Sequence, residues 1–475
     1  MSQIKNNNKS KSWRLKSGER WFILFCGDFI VSLSSILIAI YFWTRQDWYL
    51  SDWANFIHYR VPYWFYLLPI IWIILLIELY DVRRAARPSE TLKAIGIAAS
   101  ASMGIYLFVF FISDARTLPR LGVLLFIIST SILTLAWRFL YIRVFTAPLF
   151  MRRALIIGAG KAGTALVKVV NEIWPPPFHL IGLIDDDSEK IGTQVEGFPI
   201  LGGCKQLMPL IESEKITDLI FAISGDMSAD MLREVITAGE SGVEITTMPV
   251  IYEELLNRVP IAWLQSDWIL RYLVDQMRVG GFYEVMKRLI DIFGSLVGLF
   301  LMTLAFPIIA LAIVVDNGFP IFYSQERAGK NGRSYRIYKF RTMIIDAEKD
   351  GKPQVTIEND QRITRVGWIM RKTHIDELPQ FLNVLIGDMS LVGPRAERHE
   401  IMEKLQLKIP FYRARLMVRP GLTGWAQVNF GYASNAEANA IKTEYDLYYI
   451  KNRNLLLDIT ILLRTPGMVI GFRGQ

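Results

Sequence analysis

The chain has 475 residues, of which 52% are hydrophobic and 21% charged, and its net charge is +8. It is too apolar for ordinary soluble domains and long enough for two or three of them, and its positive balance suits anionic lipid heads and phosphorylated substrates. Cys26 and Cys204 lie too far apart in sequence to argue for a disulfide framework or a zinc site, the four histidines (His58, His179, His374, His399) lack ligand spacing, and no basic run with interleaved aromatics points to nucleic acid.

The first twenty residues form a basic tail with Lys5, Lys9, Lys11, Arg14, Lys16 and Arg20. The apolar run behind it is too long for a cleavable signal peptide, so none is expected. Four apolar segments follow between residues 21 and 145: Trp21–Trp43, Val61–Tyr80, Leu92–Ile112 and Leu121–Phe145. Each is near the roughly 20 residues a spanning helix needs. The tail, the connection with Arg83, Arg84, Arg87 and Lys93, and the exit at Arg152 and Arg153 carry more cations than the two alternate connections. The positive-inside rule therefore predicts a cytoplasmic N-terminus and a cytoplasmic chain after Phe145, on a bacterial inner membrane. Asp28 lies inside the first span, either as a functional acid or as a helix-packing carboxylate. One such acid is too little for a transporter.

Residues 150–250 read as a Rossmann-like α/β domain. The buried strand Ala154–Ile157 runs into Gly158-Ala-Gly160-Lys-Ala-Gly163, a possible nucleotide or phosphate loop opening a helix. A second strand, Leu180–Ile184, ends in Asp185-Asp186-Asp187, where a dinucleotide fold places an acid on a ribose hydroxyl. The domain is half the classical size and lacks a Tyr-x-x-x-Lys dyad, so a structural or regulatory role is expected before a cofactor.

After a linker at 251–282, the segment Met286–Val315 is long and apolar but broken by Pro307. Both flanks are basic: Lys287 and Arg288 before, and Arg327, Lys330, Arg333, Arg336, Lys339 and Arg341 after. A crossing would put that basic domain outside, so a re-entrant helix over 286–315 is predicted. Polar motifs then crowd together. Lys339 and Arg341 alternate along the strand Tyr338-Lys-Phe-Arg-Thr-Met343, and Asn359-Asp-Gln-Arg-Ile-Thr364 follows. Arg371-Lys-Thr-His-Ile-Asp376-Glu377-Leu-Pro-Gln380, Gly387–Arg395 and Arg419-Pro420-Gly421-Leu-Thr423-Gly424-Trp-Ala-Gln427 complete the series. Adjacent Asp376 and Glu377 cannot share a helix face, so they serve different partners. A carboxylate can attack phosphorus, Arg forks bind phosphate oxygens, and Mg²⁺ takes hard oxygen ligands.

These motifs, with the tail Glu444-Tyr-Asp446-Leu-Tyr-Tyr449-Ile-Lys-Asn452, resemble the bacterial polyprenyl-phosphate glycosylphosphotransferases, or monotopic phosphoglycosyl transferases, over about Tyr283 to Arg473. The four spans and the GxGxxG domain are similar to the large subgroup that initiates exopolysaccharide, capsule or O-antigen units. The resemblance implies that Asp376 attacks the β-phosphate of a UDP-sugar, releasing UMP, and that undecaprenyl phosphate then takes the sugar phosphate in a ping-pong cycle. It implies Mg²⁺ at Asp376, Glu377 as dyad partner, and Arg371 on phosphate, five residues before the nucleophile. It also implies Arg395 and the Pro420–Gln427 turn at the nucleotide, with Pro307 at the membrane kink. Three departures stand out: Phe306 where Ser is usual before the membrane proline, Ala396 where the motif usually ends in Pro, and Arg327-Ala328-Gly329 where Pro or Val is usual at the middle position.

The expected architecture is a membrane α-helical bundle of four spans, a Rossmann-like α/β domain, and a small α/β catalytic domain (283–475) on a re-entrant membrane helix. The expected donor is UDP-glucose or UDP-galactose, and a homodimer suits a large subgroup member. A membrane nucleotide-sugar dehydratase using NAD at Gly158–Gly163, and a nucleotide-sensing regulator, are the competing readings. A chain cut before Tyr283 is expected to keep some transferase activity, because every chemical group lies after it.

Overall fold

The computed structural model describes residues 17–46, 53–80, 82–112, 119–145, 151–174, 176–223, 227–263, 280–345, 347, 360–431 and 435–470. Most of the basic tail, part of the linker (264–279) and Asn359 lie outside them. The chain divides into two compact units, Met1–Met248 and Pro249–Gln475.

In the first unit the apolar segments become α1 (Ser17–Gln46), α2 (Trp53–Arg60), α3 (Leu68–Leu75), α4 (Val82–Ala85), α5 (Pro88–Ile112) and α6 (Arg120–Phe145). Three of the four expected spans are helices long and apolar enough to cross a membrane. The second, Val61–Tyr80, is not one helix. It is a 3-10 turn (Tyr63–Leu67), the short α3, and a second 3-10 turn (Ile77–Tyr80). Pro62 and Pro69 lack the N–H groups a continuous helix needs. The fourth helix of spanning length is instead Gly281–Asn317 of the second unit.

Asp28 explains how the broken segment is held. Its carboxylate accepts from Arg138 Nη2 of α6 at 2.5 Å, and Arg138 Nη1 donates to the Leu79 carbonyl at 3.0 Å. Both charged side chains are fully buried. Arg138 also lies over the Tyr80 ring, 5.4 Å from its centroid. The acid is a packing partner, and the guanidinium supplies the donor that an interrupted helix fails to give its own carbonyl.

The α/β part follows as β1 (Arg153–Ile157), α7 (Lys161–Glu172), β2 (His179–Ile184), a hairpin of β3 (Gln194–Val195) and β4 (Phe198–Pro199), α8 (Cys204–Ser213), β5 (Asp218–Phe221), α9 (Ala229–Glu240) and β6 (Glu244–Thr247). The sheet is parallel, in the order β2-β1-β5-β6. The apolar runs of β1 and β2 fit a sheet covered on both faces.

The second unit opens with α10 (Met248–Leu256), followed by α11 (Gly281–Asn317), a hairpin of β7 (Phe322–Ala328) and β8 (Ser334–Phe340), α12 (Arg365–Lys372) and α13 (Gln380–Ile386). Then come β9 (Ser390–Val392), α14 (His399–Gln406), β10 (Gly421–Thr423), α15 (Trp425–Asn429), α16 (Ala436–Asn452) and α17 (Leu455–Ile470). β9 and β10 pair in parallel. Both ends of α11 are tied into this unit. Near its start, Lys287 Nζ bonds Asp458 at 3.0 Å and Tyr449 at 3.1 Å, and Asp291 accepts from Ser390 and from the Leu391 amide. Near its end, Asp316 accepts from the Val366 amide and Asn317 donates to the Met343 carbonyl. Between these ends Phe293, Phe300, Leu304, Ile308 and Leu311 are exposed. Phe306, the departure from the usual serine, stacks on Phe322 and Phe340.

The linker reading of 251–282 needs correction over its first part. Val259 and Ile261 are buried in the main core of the second unit. The Val259 amide donates to the Glu444 carbonyl, Tyr252 Oη donates to the Glu444 carboxylate, and Trp425 Nε1 donates to the Asn257 carbonyl at 2.9 Å. Residues 249–263 are therefore a strap of the second unit. Burying a Val and an Ile side chain is worth roughly 1.5–3 kcal/mol each. A chain cut before Pro249 is accordingly expected to unfold thermally like the catalytic unit of the full chain. One cut before Tyr283 should unfold at least several degrees lower, or fail to fold. Equal midpoints for the two, measured in detergent, would contradict the strap.

Candidate active site

Asp376 and Glu377 sit in a 3-10 turn, Ile375–Glu377, wedged between α12 and α13. His374 turns the chain into it with a left-handed backbone (φ 56), and Pro379 stands at the N-cap of α13. Successive residues of a 3-10 turn point about 120° apart, so the two acids diverge, as their adjacency predicted. Glu377 Oε1 accepts from Lys339 Nζ at 2.7 Å and from Arg395 Nη2 at 2.7 Å. Asp376 has no side-chain hydrogen bond among the described residues, and Lys339 approaches it to 3.7 Å. Both acids are buried, at 6% and 7% exposure, so neither is a solvated surface carboxylate.

The two carboxyls are driven apart electrostatically. Burial opposes ionisation of Glu377, but Arg395 and Lys339 outweigh it and hold the carboxyl well below its ordinary value. Burial pushes Asp376 up, Lys339 pulls it back in part, and the neighbouring Glu377 charge adds to the rise. Glu377 is thus a fixed anion that orients two cations, whereas Asp376 is the carboxylate with uncommitted oxygens. Such a division of labour between paired acids marks functional sites.

Lys339 reaches the dyad from β8, and Arg395 from the loop after β9. Arg371, in the last turn of α12, donates its Nε to Thr342 Oγ1 at 2.9 Å and interacts electrostatically with Asp376. Arg341 goes elsewhere. Its Nη2 caps the end of α11, donating to the carbonyls of Asn317 (2.7 Å) and Gly318, while its Nε and Nη1 find no partner among the described residues. Pro307 lies inside α11, which runs through it as one helix.

The Pro420–Gln427 turn packs backbone on backbone behind Arg395. The Pro420 carbonyl accepts from the Ser390 amide, the Gly421 amide donates to the Pro394 carbonyl, and the Thr423 carbonyl accepts from the Gly393 amide. A Cβ on Gly421 or Gly424 would meet Gly393 backbone at 2.1 or 2.2 Å. Thr423 Oγ1 shares a hydrogen bond with Thr465, and Gln427 Nε2 donates to the Leu422 carbonyl. The tail residues are also ties: Asp446 binds Arg415 at 2.7 Å, and Tyr449 donates to Asp458 at 2.8 Å. Sequence reading took Lys287 only as a basic flank and gave Thr342 no role of its own. Thr342 lay inside a quoted motif but has no charge to draw notice.

At the glycine loop, Gly158 has φ +104, and a Cβ on Gly163 would lie 2.0 Å from the Gly158 carbonyl. Gly160 caps α7 with open space around it. The loop's Ala159 amide already donates to Asp185 Oδ2 at 2.8 Å, and Lys190 pairs with Asp185 at 3.3 Å. Asp186 accepts from the Cys204 amide and from Ser228 Oγ, each at 2.8 Å. The acids after β2 are committed to loop and helix ends.

No group of three or more His, Cys, Asp or Glu that could hold a metal comes together among the described residues. Asp376 alone at the dyad has free oxygens, which fits Mg²⁺ shared with substrate phosphates rather than caged by protein.

Comparison with known proteins gives two family matches: bacterial sugar transferase over residues 282–471 and CoA-binding domain over 76–249. The UDP-N-acetylgalactosamine-undecaprenyl-phosphate N-acetylgalactosaminephosphotransferase of Aeromonas hydrophila is 39% identical over 52% of this chain and 56% of its own length. The UDP-galactose-lipid carrier transferase of Erwinia amylovora is 26% identical over 92% of this chain and 86% of its own. The exopolysaccharide production protein PSS of Rhizobium leguminosarum bv. phaseoli is 40% identical over 38% of this chain and 93% of its own.

The charge pattern sets a stability test. A carboxyl depressed in the folded state, like Glu377, contributes stability above its ordinary value of 4.5 and loses it as pH falls through the folded value. Asp376, raised from 3.8, has the opposite sign: its ionisation disfavours folding as pH rises through that window. At pH ~7.5, Glu377→Gln should therefore destabilise, by about 3 kcal/mol if it behaves like a broken buried ion pair. Asp376→Asn should leave the thermal midpoint unchanged or raised. The Glu377→Gln deficit should shrink at acid pH, and the reverse ranking of the two variants would refute this assignment.

Proposed function

Because this chain belongs to the bacterial sugar transferase family, we propose that it is a membrane enzyme that transfers a hexose 1-phosphate from a UDP-sugar to undecaprenyl phosphate. The observation that carries the proposal is the division within the dyad: a buried Asp376 with free oxygens, set among Lys339, Arg371 and Arg395, beside a Glu377 already neutralised by two of them.

In the first step an Asp376 oxygen attacks the β-phosphorus of the donor. The new bond is Asp376 Oδ–P. The bond that breaks joins that phosphorus to the oxygen bridging to the α-phosphate, and the bridging oxygen leaves with UMP. In the second step an oxygen of the lipid phosphate attacks the same phosphorus, the Oδ–P bond breaks, and the carboxylate returns. Lys339, Arg371 and Arg395 balance the charge of the diphosphate and of the expanding phosphorus centre, where fixed cations act most strongly in a water-poor site. Glu377 keeps Lys339 and Arg395 in register. Mg²⁺, when bound, would be held by Asp376 and substrate oxygens and would further neutralise the diphosphate.

The membrane placement follows the same reading. The protein sits in the bacterial inner membrane with the dyad on the cytoplasmic side, where nucleotide sugars are made. Helix α11 dips into the bilayer and returns. Its length of 37 residues would reach roughly 55 Å if straight, yet residues near both ends bond to the same catalytic unit, and its middle is apolar and exposed. That favours a re-entrant segment over a crossing. The relatives differ in the sugar they name, so the donor is left as a UDP-hexose or its N-acetylated form, with glucose and galactose the first candidates.

The test is UMP release from UDP-glucose, UDP-galactose and UDP-N-acetylgalactosamine, with undecaprenyl phosphate and Mg²⁺ each present or withheld. Lipid-dependent UMP from one donor is expected. Asp376→Asn should abolish it, because an amide cannot attack phosphorus, and full turnover by that variant would exclude the covalent route. The acid limb of the pH–rate profile should lie above the ordinary aspartate value of 3.8, since Asp376 must ionise against its burial.

A further inference from the structure

Thr342 is a buried residue just beyond the end of β8, at 6% exposure, and three independent contacts converge on it. Its carbonyl accepts from the Thr364 amide at 3.0 Å. Thr364 is the N-cap of α12, and its own hydroxyl accepts from the Gly367 amide. Gly367, one turn into α12, lies so close that a Cβ there would meet the Thr342 carbonyl oxygen at 2.1 Å. At the far end of α12, Arg371 Nε donates to Thr342 Oγ1 at 2.9 Å. The helix is thus seated on this one residue at its start, through its first turn, and through Arg371 in its last turn.

Thr342 is itself fixed by the hairpin. The Arg341 amide donates to the Ile321 carbonyl, carrying the β7–β8 pairing one residue past the strand. Three residues before Thr342, Lys339 bonds Glu377. A single backbone segment therefore sets where Lys339 meets the dyad and where Arg371 stands relative to Asp376. A guanidinium is planar, so a hydrogen bond at Nε fixes the plane in which its terminal N–H groups lie. An Arg371 held this way is aimed before any phosphate arrives, and misplacement by an ångström at a phosphoryl centre costs on the order of a hundredfold in rate.

We infer that Thr342 is a positioning residue for the transfer reaction, its hydroxyl setting the guanidinium plane of Arg371 against the diphosphate. The inference rests on the proposed phosphate-binding role of Arg371. Its chemistry is specific: the position needs a hydroxyl acceptor on a β-strand end, which Ser supplies and Val, of the same shape, does not.

The experiment compares UMP release by the full-length, detergent-purified wild type, Thr342→Val, Thr342→Ser, Arg371→Lys and the double variant Thr342→Val/Arg371→Lys. Thr342→Ala replaces the valine variant if valine does not fold. Expected are a fall in kcat/KM of roughly tenfold to a hundredfold for Thr342→Val, carried mainly by kcat, and near wild-type turnover for Thr342→Ser. The double variant should be no slower than Arg371→Lys alone, since Thr342 acts through Arg371. Wild-type rates in Thr342→Val, or losses that multiply in the double variant, would overturn the inference while leaving the transferase reading intact. A wild type that releases no UMP from any donor would overturn both.

Discussion

Glu377 lies under 3 Å from a lysine of β8 and an arginine of the loop after β9, and most of the catalytic unit is arranged to bring those three elements together. Two cations converging on a buried site repel one another unless an anion stands between them. A lone carboxylate there would in turn be driven to protonate. The Lys339–Glu377–Arg395 triad settles both demands at once. It leaves the adjacent Asp376 as the acid that has no side-chain hydrogen bond among the described residues and lies among positive charges.

The supports behind the triad are mostly backbone. Gly421 and Gly424 let β10 lie against Gly393 closely enough to fix the loop that carries Arg395. Gly367 lets α12 lie against Thr342. Charged residues of the linear motifs, such as Arg341 and Asp446, tie helix ends and neighbouring helices. Groups with committed partners hold shape, and Asp376, without a side-chain hydrogen bond among the described residues, stands among the cations of the site.

The α/β unit obeys the same logic to the opposite effect. Asp185 sits on the first amide of the glycine loop, and Asp186 ties the starts of α8 and α9. The glycines there answer a demand for tight strand-to-helix packing, and the pattern GxGxxG reports that packing as readily as it reports a ligand.

The sequence by itself determined the order of the parts. Length and apolarity marked the membrane helices, periodicity and glycines marked the parallel sheet, and the resemblance of the motifs around Arg371, Asp376 and Glu377 to a known family marked the dyad segment, because these signals are local. Four decisions belonged to the tertiary structure. The second apolar segment is broken into a 3-10 turn, a short helix and a second 3-10 turn, and a distant Arg138 donates to the Leu79 carbonyl there. Residues 249–263 belong to the catalytic core, through partners almost two hundred positions away. Lys339 and Arg341, alternating on one strand, part company, because one meets a carboxylate and the other a helix end. Thr342, an uncharged residue in a charged motif, becomes the seat of α12. Composition records how polar a residue is, but the partner that fixes its role arrives only when distant segments fold against it.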